Sequence, residues 1–153
     1  MSNFVEVFNS ELSKRNINFQ LFSLITGIST SQLSKYASGS YEPSLKNAIL
    51  ISNAFSCSID YLVGLDENPN RYELTEENIN VFYSRFNSLL KVNNQNVNKL
   101  SKTINVNRNC IYYWKNNSVF PKLGILRKIS IELHTNIEYL IGRTDYSEHN
   151  YGI

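Results

Sequence analysis

The sequence matches itself when it is shifted by 78 positions, and this internal repeat limits the folds that the chain can adopt. The alignment needs no gap and joins identical residues at both ends of the unit, from Phe4 with Phe82 to Gly64 with Gly142. Chance similarity between two unrelated helical segments would not extend ungapped over a whole unit. Self-similarity at a fixed period is the signature of duplicated structural units. Because 153 residues suffice for two small domains, we predict two copies of one domain.

Turn chemistry separates the two copies. Pro69 lies between two asparagines, and proline fixes its own φ and disfavours helix in the residue before it. Thr75 is followed by two glutamates, which is typical of a helix N-cap with acids in the first turn. We therefore predict four segments: a first domain over 1–68, a linker over 69–76, a second domain over 77–146 and a tail over 147–153.

Each copy has the apolar pattern of short helices. Phe4, Phe8 and Leu12 recur every four residues, as the inner stripe of an amphipathic first helix does. Pro43, and Pro121 in the second copy, suit the first turn of a fourth helix, where a missing N–H is tolerated. The fold class that follows is all-α, with two tandem five-helix domains. Residues of helix-capping type begin the second, third and fifth helices: Asn18, Ser29, Ser58, Asn96, Asn107 and Asn136.

The turns around the third helix are the most distinctive local feature. Gly27 and Asn105 accept the left-handed backbone that ends the second helix sharply. Gly39 and Asn117 are predicted to end the third helix in the same way. The inward-facing positions of the two third helices are predicted to be Leu33, Tyr36, Ile111 and Trp114.

One pattern is shared by the stretches SLITGISTSQLSKYASG and SKTINVNRNCIYYWKNN. It begins with a small residue, Ser23 or Ser101, where two helices meet across a tight turn. A Gly or Asn follows four positions later, then a β-branched residue, a cap, an apolar position and an aromatic one. With the downstream Pro-x-Leu and Tyr-Leu-x-Gly sequences, each copy resembles the Cro/CI, or XRE-type, family of DNA-binding proteins. The resemblance implies two tandem lambda-repressor-like helix-turn-helix domains.

The resemblance also implies how DNA is held. The third helix of such a domain enters the major groove with its N-terminal residues at base edges. Arg108 and Asn109 suit this role best, because arginine pairs with guanine and asparagine with adenine through two hydrogen bonds. By position, the base-contacting candidates are Thr30, Ser31, Gln32, Lys35, Arg108, Asn109, Cys110 and Tyr113. The phosphate-contacting candidates are Asn18, Ser40, Tyr41, Asn96, Asn98, Ser118 and Lys122.

The two copies differ in charge. Residues 1–70 carry four basic and six acidic side chains, a net charge of 4 − 6 = −2. Residues 71–153 carry eleven basic and seven acidic side chains, a net charge of 11 − 7 = +4. Phosphate neutralisation supplies much of the affinity for DNA, so the second copy is the better DNA-binding candidate. Both copies also lack the glutamine that many family members have at the start of the second helix, where Phe19 and Val97 stand.

Two functional hypotheses follow. The first is a sequence-specific transcriptional regulator, repressor-like and of phage or mobile-element type, whose partner is double-stranded DNA. The alternative is a protein-interaction module, such as an antirepressor or an inhibitor of host defences. In that module the acidic first domain binds a protein partner or forms a homodimer, and only the second domain binds DNA. Both hypotheses are compatible with the sequence.

Other functional classes find no support in the sequence. It contains no Ser/His/Asp arrangement and no glycine-rich phosphate loop, so we expect neither an enzyme nor a cofactor. Cys57 and Cys110, together with His134 and His149, show no paired ligand spacing, so no metal site is predicted. We interpret the cysteines as buried or half-buried thiols of a cytoplasmic protein in a reducing environment. No run of about 18 apolar residues is present, so no membrane span is predicted.

Overall fold

A computed structural model describes residues 2–147, with side chains from Phe4 onward. Every regular element within that range is a helix, which confirms the all-α prediction. The chain divides into two compact units, Met1–Arg71 and Tyr72–Ile153. Among the described residues, no helix is long and apolar enough to cross a membrane.

The first unit is built around an aromatic core. Phe8 lies between Phe4, with ring centroids 5.4 Å apart, and Phe22, at 5.9 Å. Phe22 in turn stacks on Phe55 at 4.9 Å. All four rings are buried, so the first, second and fourth helices share one apolar interior. The helices are α1 (Ser2–Arg15), α2 (Phe19–Thr26), α3 (Thr30–Ser38), α4 (Leu45–Phe55) and α5 (Ile59–Leu62).

The second unit repeats this plan with a different aromatic set. Phe82 and Phe86 stack at 5.9 Å, and the Trp114 ring lies edge-on to both, at 6.3 and 6.2 Å. Trp114 and Ile111 are buried, as Tyr36 and Leu33 are in the first unit, which confirms the predicted inward face of each third helix. The helices are α6 (Ile79–Val92), α7 (Val97–Thr103), α8 (Arg108–Asn117), α9 (Leu123–Glu132) and α10 (Ile137–Leu140).

The predicted N-caps of the second, third and fifth helices are confirmed in both units. In each, the side-chain oxygen accepts a hydrogen bond from a backbone N–H of the first helical turn, which satisfies a donor that the helix leaves unpaired. The six caps are Asn18, Ser29, Ser58, Asn96, Asn107 and Asn136.

Two predicted helix starts are wrong. Ser44 caps α4 by accepting from the Asn47 N–H, so Pro43 precedes the cap and does not lie in the first turn. Pro121 likewise precedes Lys122, which is the N-cap position of α9. In both cases the residue after the proline takes the extended cap conformation, and the helix begins only at the leucine that follows.

The start of α6 also differs from the prediction. Asn78 is the cap, and its side chain accepts from the Asn80 N–H at 3.0 Å. Thr75 instead donates its backbone N–H to the Arg143 carbonyl at 2.8 Å, so it belongs to a non-helical stretch that is bonded to the end of the second unit. The two glutamates after Thr75 therefore lie outside α6, which begins only after the Asn78 cap.

Left-handed backbone recurs with the same 78-residue spacing. Gly27 has φ +78° at the end of α2, and Asn105 has φ +55° after α7, as predicted. The prediction for Asn117 is wrong: α8 runs one residue further than α3, and Ser118 takes the left-handed conformation with φ +49°. The Asn117 side chain donates to the Tyr113 carbonyl at 3.1 Å, which continues the helical turn. The other matched positions with positive φ are Asn16 with Asn94, Ser56 with His134 and Gly64 with Gly142.

The apolar pattern of the fourth helix predicts an inner face of Leu45, Ile49, Ser52 and Phe55, and only part of this set is confirmed. Ser52 and Phe55 are buried, but Leu45 and Ile49 are half-buried, and Ala48 and Ile51 are the apolar residues that face the core. The buried residues Ala48, Ile51, Ser52 and Phe55 therefore form the inner face.

The ends of the units are held by specific contacts. The Pro69 carbonyl accepts from the Ser58 N–H at 2.9 Å, and Arg71 pairs with Asp66 through bonds of 2.6 and 2.8 Å. In the second unit, Tyr72 stacks on Tyr146 at 5.7 Å. The Ser147 carbonyl accepts from the Thr135 hydroxyl at 3.3 Å. The rest of the predicted tail, 148–153, lies outside the described residues.

Candidate nucleic-acid interface

The turn between α2 and α3 sets the direction of the third helix in the first unit. The left-handed Gly27 donates its N–H to the Ser23 carbonyl at 2.8 Å and closes α2. The Thr26 hydroxyl then accepts from the Ile28 N–H at 3.1 Å, and the Ile28 side chain is buried beneath the turn. Ser29 caps α3 by accepting from the Gln32 N–H at 3.2 Å. The chain therefore changes direction within three residues and presents the N-terminus of α3 to solvent.

The two faces of α3 separate by polarity. Leu33 and Tyr36 point into the core, and the Tyr36 hydroxyl accepts from the Asn47 side chain at 2.7 Å. The opposite face is open to solvent. It carries all four base-contacting candidates of this unit: Thr30, Ser31, Gln32 and Lys35.

Comparison with known families decides the nature of this unit. Residues 14–62 match a family described as helix-turn-helix. Residues 14–62 form a helix-turn-helix domain. The match is of the XRE, or Cro/CI-like, type, and it indicates a DNA-binding regulator. No curated protein and no solved structure matches the chain.

Residues 96–117 of the second unit have the local geometry of the helix-turn-helix domain. Asn105 is left-handed after α7, and Asn107 caps α8 by accepting from the Asn109 N–H at 2.8 Å. Ile111 and Trp114 fill the core side of α8. The solvent side carries the four candidates Arg108, Asn109, Cys110 and Tyr113, all exposed. The expectation of a buried or half-buried Cys110 is therefore wrong, because its position falls on the outer face of α8, whereas Cys57 is buried as expected.

Arg108 is held by a neighbour on the preceding helix. Its Nη1 donates to Oδ1 of Asn98 at 3.3 Å. Both side chains are exposed, and Asn98 lies near the start of α7. Asn98 is a predicted phosphate contact, and in the structure its side-chain oxygen is the acceptor for the arginine at the N-terminus of α8.

The remaining phosphate-contacting candidates are all exposed, but several side chains already have partners. Asn18 and Asn96 use their side-chain oxygens for helix capping, so their amide NH₂ groups are the part that could donate to a phosphate. The Ser40 hydroxyl lies 2.8 Å from that of Ser38. Lys35 lies with its ammonium 4.8 Å from the centre of the Tyr41 ring, a cation–π arrangement. The last two candidates, at the end of α8 and the start of α9, are Ser118 and Lys122.

The two units also differ in charge at this surface. Residues 16–34, which contain α2 and the start of α3, have no charged side chain. The matched residues 94–112 contain three cations, Lys99, Lys102 and Arg108, and no acid, and all three are exposed. Over these matched ranges phosphates would therefore meet a charge of +3 on the second unit and none on the first, where the next cation along α3 is the exposed Lys35.

Sequence reasoning missed the residues that replace these lysines in the first unit. Leu21 and Leu24 stand where the second unit has Lys99 and Lys102, and both are exposed, as is Ile25. Tyr112, exposed on α8 beside Tyr113, was missed as well. The signal for the leucines was present in the 78-residue alignment, which pairs each exposed leucine with a lysine. Apolar character alone does not show which residues of a short helix face the core.

Proposed function

We propose that this protein is a sequence-specific DNA-binding regulator, and that its second unit, a helix-turn-helix domain of the same build as the first, makes the principal contact with DNA. One observation carries the proposal. Arg108 and Asn109 stand exposed and adjacent at the capped N-terminus of α8, on the side opposite the buried Trp114. These are the side chains that read guanine and adenine in the major groove.

The surroundings of α8 support the same role. Lys99 and Lys102 on α7 add positive charge next to the third helix, where phosphates flank a major groove occupied by a helix. Asn98 fixes Arg108 before DNA arrives, which reduces the side-chain entropy lost on binding. The first unit offers Thr30 and Ser31 at the matched positions, residues that read bases with less discrimination.

The salt dependence of binding tests the electrostatic part of this proposal. For the full chain on duplex DNA, the slope of log K against log salt falls by roughly 0.9 for each lysine–phosphate contact removed. Changing both Lys99 and Lys102 to Ala should therefore reduce the slope by roughly 1.8. Lys46→Ala, on α4 of the first unit, is the control and should leave the slope unchanged. An unchanged slope in the double variant, or an equal loss in the control, would remove the second unit as the principal contact.

A second candidate function is a protein-interaction role for the first unit. The observation that favours it is the exposed, uncharged face of α2, which lacks the cations that DNA requires. In this view the protein is a regulator or antirepressor whose second unit binds DNA while its first unit contacts protein. An affinity for DNA that is unchanged by substitutions on α3, with loss of activity in cells, would favour this role.

A further inference from the structure

One side of α8 carries a line of basic and aromatic side chains that continues past Arg108. Arg108, Tyr112 and Lys115 follow one another at spacings of four and three residues, which places them on the same side of the helix. All three are exposed, and the two ends of the line are about 10 Å apart along the helix axis. Neither Tyr112 nor Lys115 is among the DNA-contacting candidates that the family resemblance implies.

A tyrosine of α6 joins this line near the last turn of α8. The Lys115 ammonium lies 5.6 Å from the centre of the Tyr83 ring, a cation–π arrangement. Tyr83 is half-buried, and its ring packs on that of Phe86 at 5.7 Å. Burial, and to a lesser degree the nearby Tyr112, raise the pKa of Tyr83, so its hydroxyl is a protonated donor at neutral pH. We call Tyr83, Tyr112 and Lys115 the flank cluster of the second unit.

We propose that the flank cluster binds the sugar–phosphate backbone of duplex DNA beside the groove that α8 enters. This inference rests on the DNA-binding function proposed above for the second unit. Lysine ammonium and tyrosine hydroxyl groups are donors that proteins use to contact phosphates. The N-terminal residues of such a helix lie at base edges, so the side chains of its last turn lie farther from the bases and nearer to a strand backbone. The contact would position α8 without itself reading the sequence.

The charge of the surrounding helices supports a phosphate as the ligand. Residues 78–131, which span α6, α7, α8 and all but the last residue of α9, contain nine lysines and arginines and no acid. No carboxylate from this stretch therefore competes with a phosphate for the donors of the flank cluster. Neutralisation of phosphates by such cations supplies much of the affinity of proteins for DNA.

The first unit does not have this cluster. The residues that the 78-residue alignment pairs with Tyr83, Tyr112 and Lys115 are Val5, Ser34 and Ala37. They carry no charge and only one hydroxyl among them, so the matched surface of the first unit offers a phosphate few donors. Because the same order of helices forms with these smaller residues, the flank cluster is not needed to build the fold. The first unit therefore supplies substitutions that the second unit should tolerate.

Binding of duplex DNA by the full chain tests the proposal with single variants. Lys115→Ala introduces the residue found at the matched position of the first unit, and it should lower the slope of log K against log salt by roughly 0.9, the value of one phosphate contact. Tyr112→Phe keeps the ring and removes only the neutral hydroxyl. It should weaken binding about three- to tenfold and leave the slope unchanged.

The control removes the same charge elsewhere in the second unit. The Lys128 ammonium, on α9, lies 3.4 Å from the Ile104 carbonyl, and the first unit has Leu50 at the matched position. Lys128→Leu should therefore leave the salt slope unchanged.

Two duplexes separate a backbone contact from base reading: one of random sequence, and one carrying the sequence that the wild type selects. Because both have the same backbone, Tyr112→Phe should weaken binding to both by the same factor. A loss confined to the selected duplex, an unchanged slope in Lys115→Ala, or an equal loss of slope in Lys128→Leu would each overturn the proposal. If the Lys99 and Lys102 double variant lowers the slope but Lys115→Ala does not, DNA binding by the second unit stands and only the flank contact is wrong.

Discussion

The hydroxyl of Tyr61 on α5 donates a 2.6 Å hydrogen bond to Oε1 of Glu11 on α1, fifty residues earlier in the chain. This bond ties the last helix of the first unit to its first. In the second unit the same connection is made by a base: Arg85 on α6 donates to the Tyr139 carbonyl at 2.6 Å, and its guanidinium lies 4.2 Å from the Tyr139 ring. In both units a charged side chain on the first helix therefore binds the last helix, an acid in the first unit and a base in the second.

Removal of the Tyr61 hydroxyl should destabilise the first unit. A hydrogen bond to a charged group contributes about 1.5–3 kcal/mol, so Tyr61→Phe should lower the free energy of unfolding by about that amount in urea titrations followed by circular dichroism. Tyr139→Phe is the matched control. It keeps both the ring and the carbonyl that Arg85 contacts, so its effect should stay below about 0.5 kcal/mol. Equal losses in the two variants would show that the Tyr61–Glu11 bond is not stabilising.

The same cluster predicts a dependence of stability on pH. Burial raises the pKa of Glu11, but hydrogen bonds from Tyr61, Arg15 and Lys14 outweigh it and hold that pKa below its ordinary 4.5. A carboxyl with a lowered pKa in the folded state stabilises the fold above its unfolded pKa, and this contribution is lost as the pH falls through the folded value. Glu11→Gln should therefore be less stable than the wild type at pH 7, and the difference should shrink on acidification. A difference independent of pH would contradict this assignment.

At the other end of the pH scale, the hydrogen bond to Glu11 and burial raise the pKa of Tyr61 to about 12. A group whose pKa is raised in the folded state stabilises below its unfolded value, near 10, and this contribution is lost as the pH rises through about 12. Ultraviolet titration of the tyrosines should show one fewer late-titrating group in Tyr61→Phe than in the wild type. An identical alkaline titration in both proteins would argue against the bond.

The contact between Asn98 and Arg108 predicts an indirect effect on DNA reading. Asn98→Ala should weaken binding to the preferred site about three- to tenfold and relax selection at the base that Arg108 contacts, because the arginine loses its fixed orientation. If Asn98 served only a phosphate, binding to all sequences would weaken alike and base preference would stay unchanged. Gln20→Ala, at the matched position on α2, is the control and should change neither quantity.

Cysteine reactivity offers a direct footprint of the interface. Cys110 is exposed on α8 whereas Cys57 is buried, so a maleimide should react with one thiol in the native protein and with both in urea. Bound duplex DNA should slow the reaction at Cys110, and high salt should restore it as the complex dissociates. An alkylation rate at Cys110 that is unaffected by saturating DNA would show that this face of α8 stays open to solvent in the complex.

Local signals predicted much of the helical framework. Capping residues such as Asn18 and Ser29 mark helix starts because their side chains serve the nearby backbone directly, and this chemistry is readable from sequence. The failures arose where a residue has a distant partner or a competitor for the same task. Thr75 has the sequence context of a cap, but its N–H donates to the Arg143 carbonyl, 68 residues away, and Asn78 caps α6 instead. Pro43 resembles a first helical residue, but Ser44 takes the cap.

The site was only partly predictable for a similar reason. The placement of Arg108 and Asn109 on the outer face of α8 follows from helical spacing relative to the buried Ile111 and Trp114. The bond from Asn98 to Arg108 depends on how α7 and α8 cross, which spacing along the chain does not fix. The exposure of Leu24 could not be predicted, because an apolar residue on a helix is expected in the core until the packing partners of every face are known.

Selection of bound sequences from a random DNA pool by the full chain tests most directly whether α8 reads bases. The selection is repeated with Arg108→Ala and with Thr30→Ala at the matched position of the first unit. We expect one enriched motif for the wild type. In Arg108→Ala one guanine position of that motif should lose its preference, at a cost of about 1–3 kcal/mol on the original site, while Thr30→Ala has the smaller effect. No enriched motif, or a motif that survives Arg108→Ala intact, would contradict base reading by α8.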